Sequence, residues 1–271
     1  MSTTTLEAAT EARPVAHRAA KAQPIPMTRI VGVELRKMFD TRSGFWLMTS
    51  IGIAAVLATV ATLLFAPDDE LTQDAFSGAI GFPMVVILPM VAILSVTSEW
   101  SQRSGLTTFT LVPHRNRVIL AKVIASVTVG VAAMLIALVI GVVGNLVGTA
   151  ITGTDLVWDV SVAHFLLIVL GSLVCLLTGT MLGILFRSSS VALVAYFVFS
   201  LVLPTLWGFL TASQDRFLDL QPWLDSNYTQ APLFDGSITG DQWAHVAVTT
   251  TIWLLIPALI GLGLVTKSEV K

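Results

Sequence analysis

Charged residues are scarce in this 271-residue chain. Lys, Arg, Asp and Glu together make up 12% of it, whereas hydrophobic residues make up 55%. Both values lie outside the range that is usual for a soluble domain. Uncharged apolar runs long enough to cross a bilayer recur along the sequence, and globular helices do not have this pattern. The composition therefore argues against a soluble protein and indicates one that is embedded in lipid.

Cysteine and recognisable catalytic motifs are also scarce. The single cysteine, Cys175, lies inside an apolar run, which excludes an internal disulfide and favours a small buried residue over a reactive thiol. The chain has no zinc-protease motif, no Gly-x-Ser-x-Gly elbow and no phosphate-binding loop. We therefore expect a non-catalytic chain without cofactor or metal. The net charge of −2 gives no indication of nucleic-acid binding.

Six apolar segments have the length of about twenty residues that crosses a hydrocarbon core. They lie at about 45–65, 79–96, 123–146, 165–186, 191–210 and 246–265. Pro83 and Pro89 predict a kinked or broken second span. Residues 1–26, rich in Ala, Thr, Pro and scattered charge, are predicted to form a disordered tail, and residues 27–271 the membrane domain.

Ionisable residues are absent from all six predicted spans. A carrier that couples transport to protons or ions generally needs ionisable side chains at membrane depth. Their absence weakens the assignment to pumps, antiporters and channels with charged rings, and it predicts that energy arrives from outside the bilayer. Coupling through backbone carbonyls or through Ser and Thr hydroxyls stays open.

Residues 27–42 have the periodicity of an amphipathic helix lying in the membrane interface. One face carries Met27, Ile30, Val31, Leu35 and Met38, and the opposite face carries Arg29, Arg36 and Asp40. Glu34 falls on the apolar face, where a carboxylate is unfavourable unless it is paired. Two interpretations stay open: an ion pair with Lys37 one turn later, or contact with a partner protein or another cytoplasmic segment.

Basic residues are distributed unevenly around the spans. All Lys and Arg except Arg216 lie before span one, between spans two and three, between spans four and five, or after span six. Because positive segments are retained in the cytoplasm, both termini are predicted to lie there, with 211–245 as an outer loop. The predicted fold is an all-α membrane protein with six transmembrane helices and an N-terminal amphipathic interfacial helix.

The segment after span two carries a recognisable pattern. In order it contains Glu99, Arg103, Gly105, Leu106-Thr107-Thr108, Pro113, Arg115, Arg117 and Lys122. This order resembles the signature after the second span of permease subunits in the ABC-2 exporter family. Residues 34–37, Glu-Leu-Arg-Lys, are similar to that family's amphipathic entry helix.

The resemblance implies a multi-pass permease of the bacterial plasma membrane that pairs with a second permease, identical or homologous. It also implies two separate ABC-type ATPase subunits that bind ATP and Mg and dock on the cytoplasmic side. On this hypothesis the residues that couple to the ATPase include Glu34, Lys37, Glu99, Arg103 and Gly105. Such permeases often export peptides, antibiotics, lipids or glycans, and the loop before their last span often forms short re-entrant helices. The alternatives are a membrane scaffold or sensor and an ATP-independent carrier.

Two pairs of glycines have the spacing that lets helices approach closely: Gly144 with Gly148, and Gly179 with Gly183. The pattern is compatible with packing inside the chain or with a dimer interface.

Overall fold

The computed structural model describes residues 25–40, 42–101 and 115–267. This part of the chain consists of helices and connecting segments and contains no strand. The predicted tail up to residue 24 lies outside the described residues, and so do two of the predicted coupling residues, Arg103 and Gly105.

The helices follow one another with short connections. They are α1 (Met27–Asp40), α2 (Arg42–Phe65), α3 (Gln73–Ser101), α4 (Arg115–Thr152), α5 (Val162–Phe186), α6 (Ser189–Phe197), α7 (Leu203–Ser213), α8 (Asp215–Leu224), α9 (Ser226–Phe234), α10 (Gly240–Thr250) and α11 (Ile256–Lys267). A 3-10 turn covers Asp68–Glu70, and π-helical turns at Val198–Val202 and Thr251–Leu255 join α6 to α7 and α10 to α11.

Six helical stretches of the described chain are long and apolar enough to cross a membrane, which confirms the predicted number. They are Gly44–Phe65, Gln73–Trp100, Asn116–Thr152, Val162–Phe186, Ser189–Ser213 and Gly240–Val265, and we call them spans one to six. All are longer than predicted, because polar residues at their ends, which hydropathy alone assigns to loops, continue the helical hydrogen bonding. The entry helix α1 precedes span one, and the bundle end where it lies is called the α1 end.

Span two is a continuous helix, so the prediction that its prolines break it is wrong. Proline at position 89 removes the donor that would normally bond the carbonyl of Val85, four residues earlier. The hydroxyl of Tyr196 in span five donates to that carbonyl at 2.7 Å. A neighbouring span therefore supplies the missing hydrogen bond, as membrane helices require.

The core of the bundle lies around span two, which packs against spans one, three and four. Its buried side chains include Met84, Leu88 and Ala92, which share one cluster with Ala125 of span three and Leu176 of span four. Span five is very different, because only 6% of its most apolar window is buried, compared with 56% for span four. It leaves a broad apolar surface on the outside of the chain.

The four glycines singled out in the sequence all lie against other helices of the same chain. A β-carbon on Gly144 would meet Thr59 of span one and Phe76 of span two, and one on Gly148 would lie 3.0 Å from Leu63. A β-carbon on Gly179 would lie 2.7 Å from the carbonyl oxygen of Pro89, and one on Gly183 3.5 Å from that of Ile93. These positions are occupied by contacts inside the chain.

We expect Gly179→Ala to destabilise the protein, because the added methyl group would press on the backbone of span two rather than on a movable side chain. Overpacking of this kind costs about 1–3 kcal/mol. Thermal unfolding of the purified protein in detergent measures the effect. Gly208→Ala in span five is the matched control, because a β-carbon there meets nothing within 4 Å. Equal stability of the two variants would contradict the described contact.

Candidate functional site

Four charged side chains meet at the α1 end, and we call them the charge cluster. Glu34 and Lys37 come from the entry helix, Glu99 from the end of span two and Lys122 from the start of span three. The Lys122 ammonium lies 2.5 Å from Glu34 Oε2 and 3.2 Å from Glu99 Oε1. The Lys37 ammonium lies 2.8 Å from Glu34 Oε1 and 3.0 Å from Glu99 Oε1. Each carboxylate is therefore bridged by both ammonium groups.

The charge cluster is buried and electrically balanced. The side chains of Glu34, Glu99 and Lys122 are each 3% exposed, whereas that of Lys37 is 42% exposed. Removing charges from water is expensive, and their mutual attraction offsets this only when each charge has close partners of opposite sign. Two carboxylates and two ammonium groups meet that condition, and Lys122 also donates to the carbonyl of Ser95 at 3.2 Å.

Lys37 has its pKa shifted by this environment. Partial burial by itself lowers the pKa of the ammonium group, but the hydrogen bonds and charges of Glu34 and Glu99 outweigh it and raise the pKa. A raised pKa in the folded state means that the ion pairing stabilises the fold fully below the pKa of an unfolded lysine, about 10.4. This contribution is lost as the pH rises through the folded-state pKa, so it is complete at physiological pH.

The cluster explains why Glu34 lies on the apolar face of the entry helix. It pairs with Lys37 one turn later, and it also reaches Lys122 in another segment of the chain. Lys122 was not among the candidate residues, because the sequence analysis counted it only as a positive charge flanking span three. Its signal was helical spacing: Lys122 follows Val118 and Ile119 and precedes Ala125 on the buried face of span three.

The cluster joins the two stretches that carry the family-like pattern. Residues 34–37 belong to one stretch and Glu99 to the other, and Lys122 bridges them. Because the Glu99 carboxylate is turned inward, it ties span two to the entry helix rather than presenting its charge at the surface. Displacement of the entry helix would therefore pull on the ends of spans two and three.

A second polar site lies where the sequence predicted an outer loop. Helices α8 and α9, residues 215–234, fold into a hairpin that packs against spans four to six, and we call it the re-entrant hairpin. The indole of Trp253 donates to the carbonyl of Leu224 at 2.7 Å, and the amide of Asn227 donates to that of Phe199 at 3.3 Å. The thiol of Cys175 donates to Gln230 Oε1 at 3.3 Å.

These contacts place the turn of the hairpin at the level of the middle of the spans. Cys175, Phe199 and Trp253 lie near the midpoints of spans four, five and six, respectively. Phe199 and Trp253 also lie in the two π-helical turns, and their rings meet edge to face with centroids 5.5 Å apart. Single π-helical turns inside α-helices occur frequently at functional sites.

Asp225 forms the turn of the hairpin and is 3% exposed. Its carboxylate accepts hydrogen bonds from the backbone amides of Asn227 at 3.0 Å and Tyr228 at 3.3 Å, and from the side chain of Gln221 at 3.1 Å. This is the arrangement of an N-cap, which Asp favours because it satisfies amides that the helix leaves free. No ion pair found among the described residues includes Asp225.

Asp225 changes one conclusion drawn from the sequence. The spans themselves have no ionisable residue near their middles, but the re-entrant hairpin brings a buried carboxylate to that level. Sequence reasoning missed it because the whole segment 211–245 was assigned to the outside. The available signal was Asp225-Ser226-Asn227, an N-cap pattern that starts a helix within the supposed loop.

A metal centre is not indicated in the described ranges, which contain no group of three or more His, Cys, Asp or Glu side chains positioned to hold a metal ion.

Comparison with known proteins leaves the family of the chain undetermined. No protein-family model matches the sequence, and no curated protein matches it either.

We expect Lys122→Met to destabilise the protein by about 3–5 kcal/mol, the usual effect of removing one partner from a buried ion pair. Two buried carboxylates would then share the single ammonium group of Lys37. Lys37→Met is the matched comparison and should have the smaller effect, because Lys37 is partly exposed. Thermal unfolding in detergent compares them, and equal losses for the two variants would count against a buried cluster.

The position of the hairpin can be tested with the only cysteine of the chain. Gln230→Cys would place a second thiol beside Cys175, and we expect an intramolecular disulfide to form under mild oxidation. Mass spectrometry after thiol alkylation measures it as the loss of two free thiols. Tyr228→Cys is the control, because Tyr228 is 52% exposed and lies on the opposite face of α9. Equal oxidation of both variants would argue against this placement of the hairpin.

Proposed function

We propose that this chain is the transmembrane permease subunit of an ATP-binding cassette transporter of the exporter type. The observation that carries the proposal is the charge cluster, because it joins the two stretches whose residue pattern resembles ABC-2 permeases. In the proposed orientation both termini and the α1 end face the cytoplasm of a bacterial cell. Two ATPase subunits dock at this end and supply ATP and Mg, while this chain performs no hydrolysis.

On this proposal the charge cluster makes the entry helix part of the transport domain. A helix held only by lipid contacts could shift without moving the spans. Ion pairs to Glu99 and Lys122 connect it to spans two and three, with the carboxylates buried in a medium where such pairs are strong. Closure of the ATPase subunits would therefore change the inclination of these spans and switch access to the pathway.

The exposed surface of span five supports the second half of the proposal, which is a partner permease. Spans one and six are also sparsely buried, with 22% of each apolar window covered by the rest of the chain. A second permease, identical or homologous, would cover part of this surface and enclose a pathway between the two subunits. Surrounding lipid covers the remainder.

Asp225 favours a second candidate function, an ATP-independent carrier coupled to an ion gradient. A buried carboxylate at the level of the span midpoints is the kind of group that such carriers use. A membrane scaffold or sensor is the third alternative and would have neither a stoichiometric ATPase nor transport activity.

The primary experiment is gentle affinity purification from native membranes followed by mass spectrometry. The proposal predicts an ABC-type ATPase in stoichiometric amount, together with a second permease when the pair is not identical. Reproducible absence of an ATPase from folded protein would oppose the proposal. Transport in vesicles driven by an ion gradient alone would then support the carrier.

A matched pair of double variants tests the role of the charge cluster. Glu34→Gln with Lys122→Gln removes one acid and one base and retains the pair between Lys37 and Glu99. We expect ATP hydrolysis to continue while transport per ATP falls by about fivefold or more, the usual range for coupling between sites.

The control replaces one acid and one base that are exposed on the same helix, Asp40→Asn with Arg29→Gln. It should retain coupling. Membrane abundance of both double variants is measured first, so that loss of protein is separated from loss of coupling. Equal coupling in the two variants would contradict a role for the charge cluster in transmission.

A further inference from the structure

An apolar groove runs along the outside of the bundle between spans one and three, beginning below the entry helix. It encloses about 620 Å³. Residues that line it include Phe39, Gly52, Val56, Val129, Ala132 and Ala133. Thr49 is the one polar side chain among the lining residues of the described chain.

Small residues create the groove. Gly52 on span one faces open space, because a β-carbon built there would meet nothing within 4 Å. Ala132 and Ala133 on span three line the same groove. The floor is closed by Ile51 and Val129, which are 5% and 7% exposed. Larger residues at these positions would fill the space, so the chain leaves a concave apolar channel that runs along the direction of the spans.

The end of the groove near the entry helix is basic. Phe39, which lines this end, is 49% exposed. Arg36 lies one helical turn before Phe39 on the same side of the entry helix, and Arg42 begins α2 three residues after it. Both arginine side chains are exposed, and Asp40 is the acidic residue between them. Arginine is suited to phosphate because its planar group donates two parallel hydrogen bonds.

We propose that this groove is a binding site for an anionic phospholipid. One acyl chain lies between spans one and three, and the phosphate of the headgroup lies beside Arg36 and Arg42. The apolar lining excludes a polar ligand, and the basic end distinguishes an anionic lipid from a zwitterionic one. This site is independent of the proposed transport function and requires only that the chain is embedded in a bilayer.

The test uses the purified full-length chain in vesicles of phosphatidylcholine. The vesicles contain a small fraction of either phosphatidylglycerol or phosphatidylcholine with a photoactivatable group in the acyl chain. After illumination, peptide mass spectrometry locates the adducts. We expect them at residues 48–57 and 129–136, with more from phosphatidylglycerol. Arg36→Gln and Arg42→Gln should each lower phosphatidylglycerol labelling about fivefold and leave phosphatidylcholine labelling unchanged.

Variants that fill the groove complete the test. Gly52→Leu and Ala132→Leu should each reduce labelling of the groove by both lipids, and the second variant guards against misfolding of the first. Gly208→Leu is the control, because it adds the same side chain to an open position on span five.

Three outcomes would overturn the proposal. Equal labelling by the two lipids would remove the role of the arginines. Labelling of residues 48–57 that persists in both filled variants would show that the lipid lies elsewhere. Adducts that join two copies of the chain through these residues would show that a second copy occupies the groove.

Discussion

The balance of charge at the α1 end is the constraint on which the arrangement of the other elements depends. Two carboxylates and the Lys122 ammonium group are almost completely buried, and none of them would be tolerated there without the others. The condition is met only when the entry helix and the adjoining ends of spans two and three are in place together. An amphipathic helix that would otherwise lie freely in the interface is thereby fixed to the bundle.

Features that depend on local sequence could be predicted. Long apolar runs gave the number of spans, and apolar periodicity gave the entry helix and the anomalous position of Glu34. Features that depend on distant residues could not. Glu34 and Lys122 are separated by 88 positions, and nothing local indicates that they meet. The same holds for Tyr196, whose hydroxyl bonds the carbonyl released by Pro89 and keeps span two continuous.

The re-entrant hairpin shows a different limit of sequence reasoning. Hydropathy assigns a segment to the outside when it is short and carries acids, and α8 includes Asp215 and Asp219. The turn that follows is nevertheless buried, because its polar groups bond to spans four to six. Hydropathy measures transfer to lipid, whereas these polar groups are transferred to a site with hydrogen-bonding partners. The segment therefore needed the fold of its neighbours to be placed.

The two polar sites differ in how readily their interactions can be exchanged. Breaking the charge cluster strands buried charges, so its four groups are expected to move as a unit. The hairpin is held to the spans by neutral hydrogen bonds, each contributing about 0.5–1.5 kcal/mol, which water or a ligand could replace. Span two connects the sites: it carries Glu99 at one end and meets span four where Gly179 lies against Pro89. Span four in turn contacts the hairpin at Cys175. On the proposed function, a rigid input at the α1 end and a replaceable set of contacts at mid-span are the two properties that a coupled pathway requires.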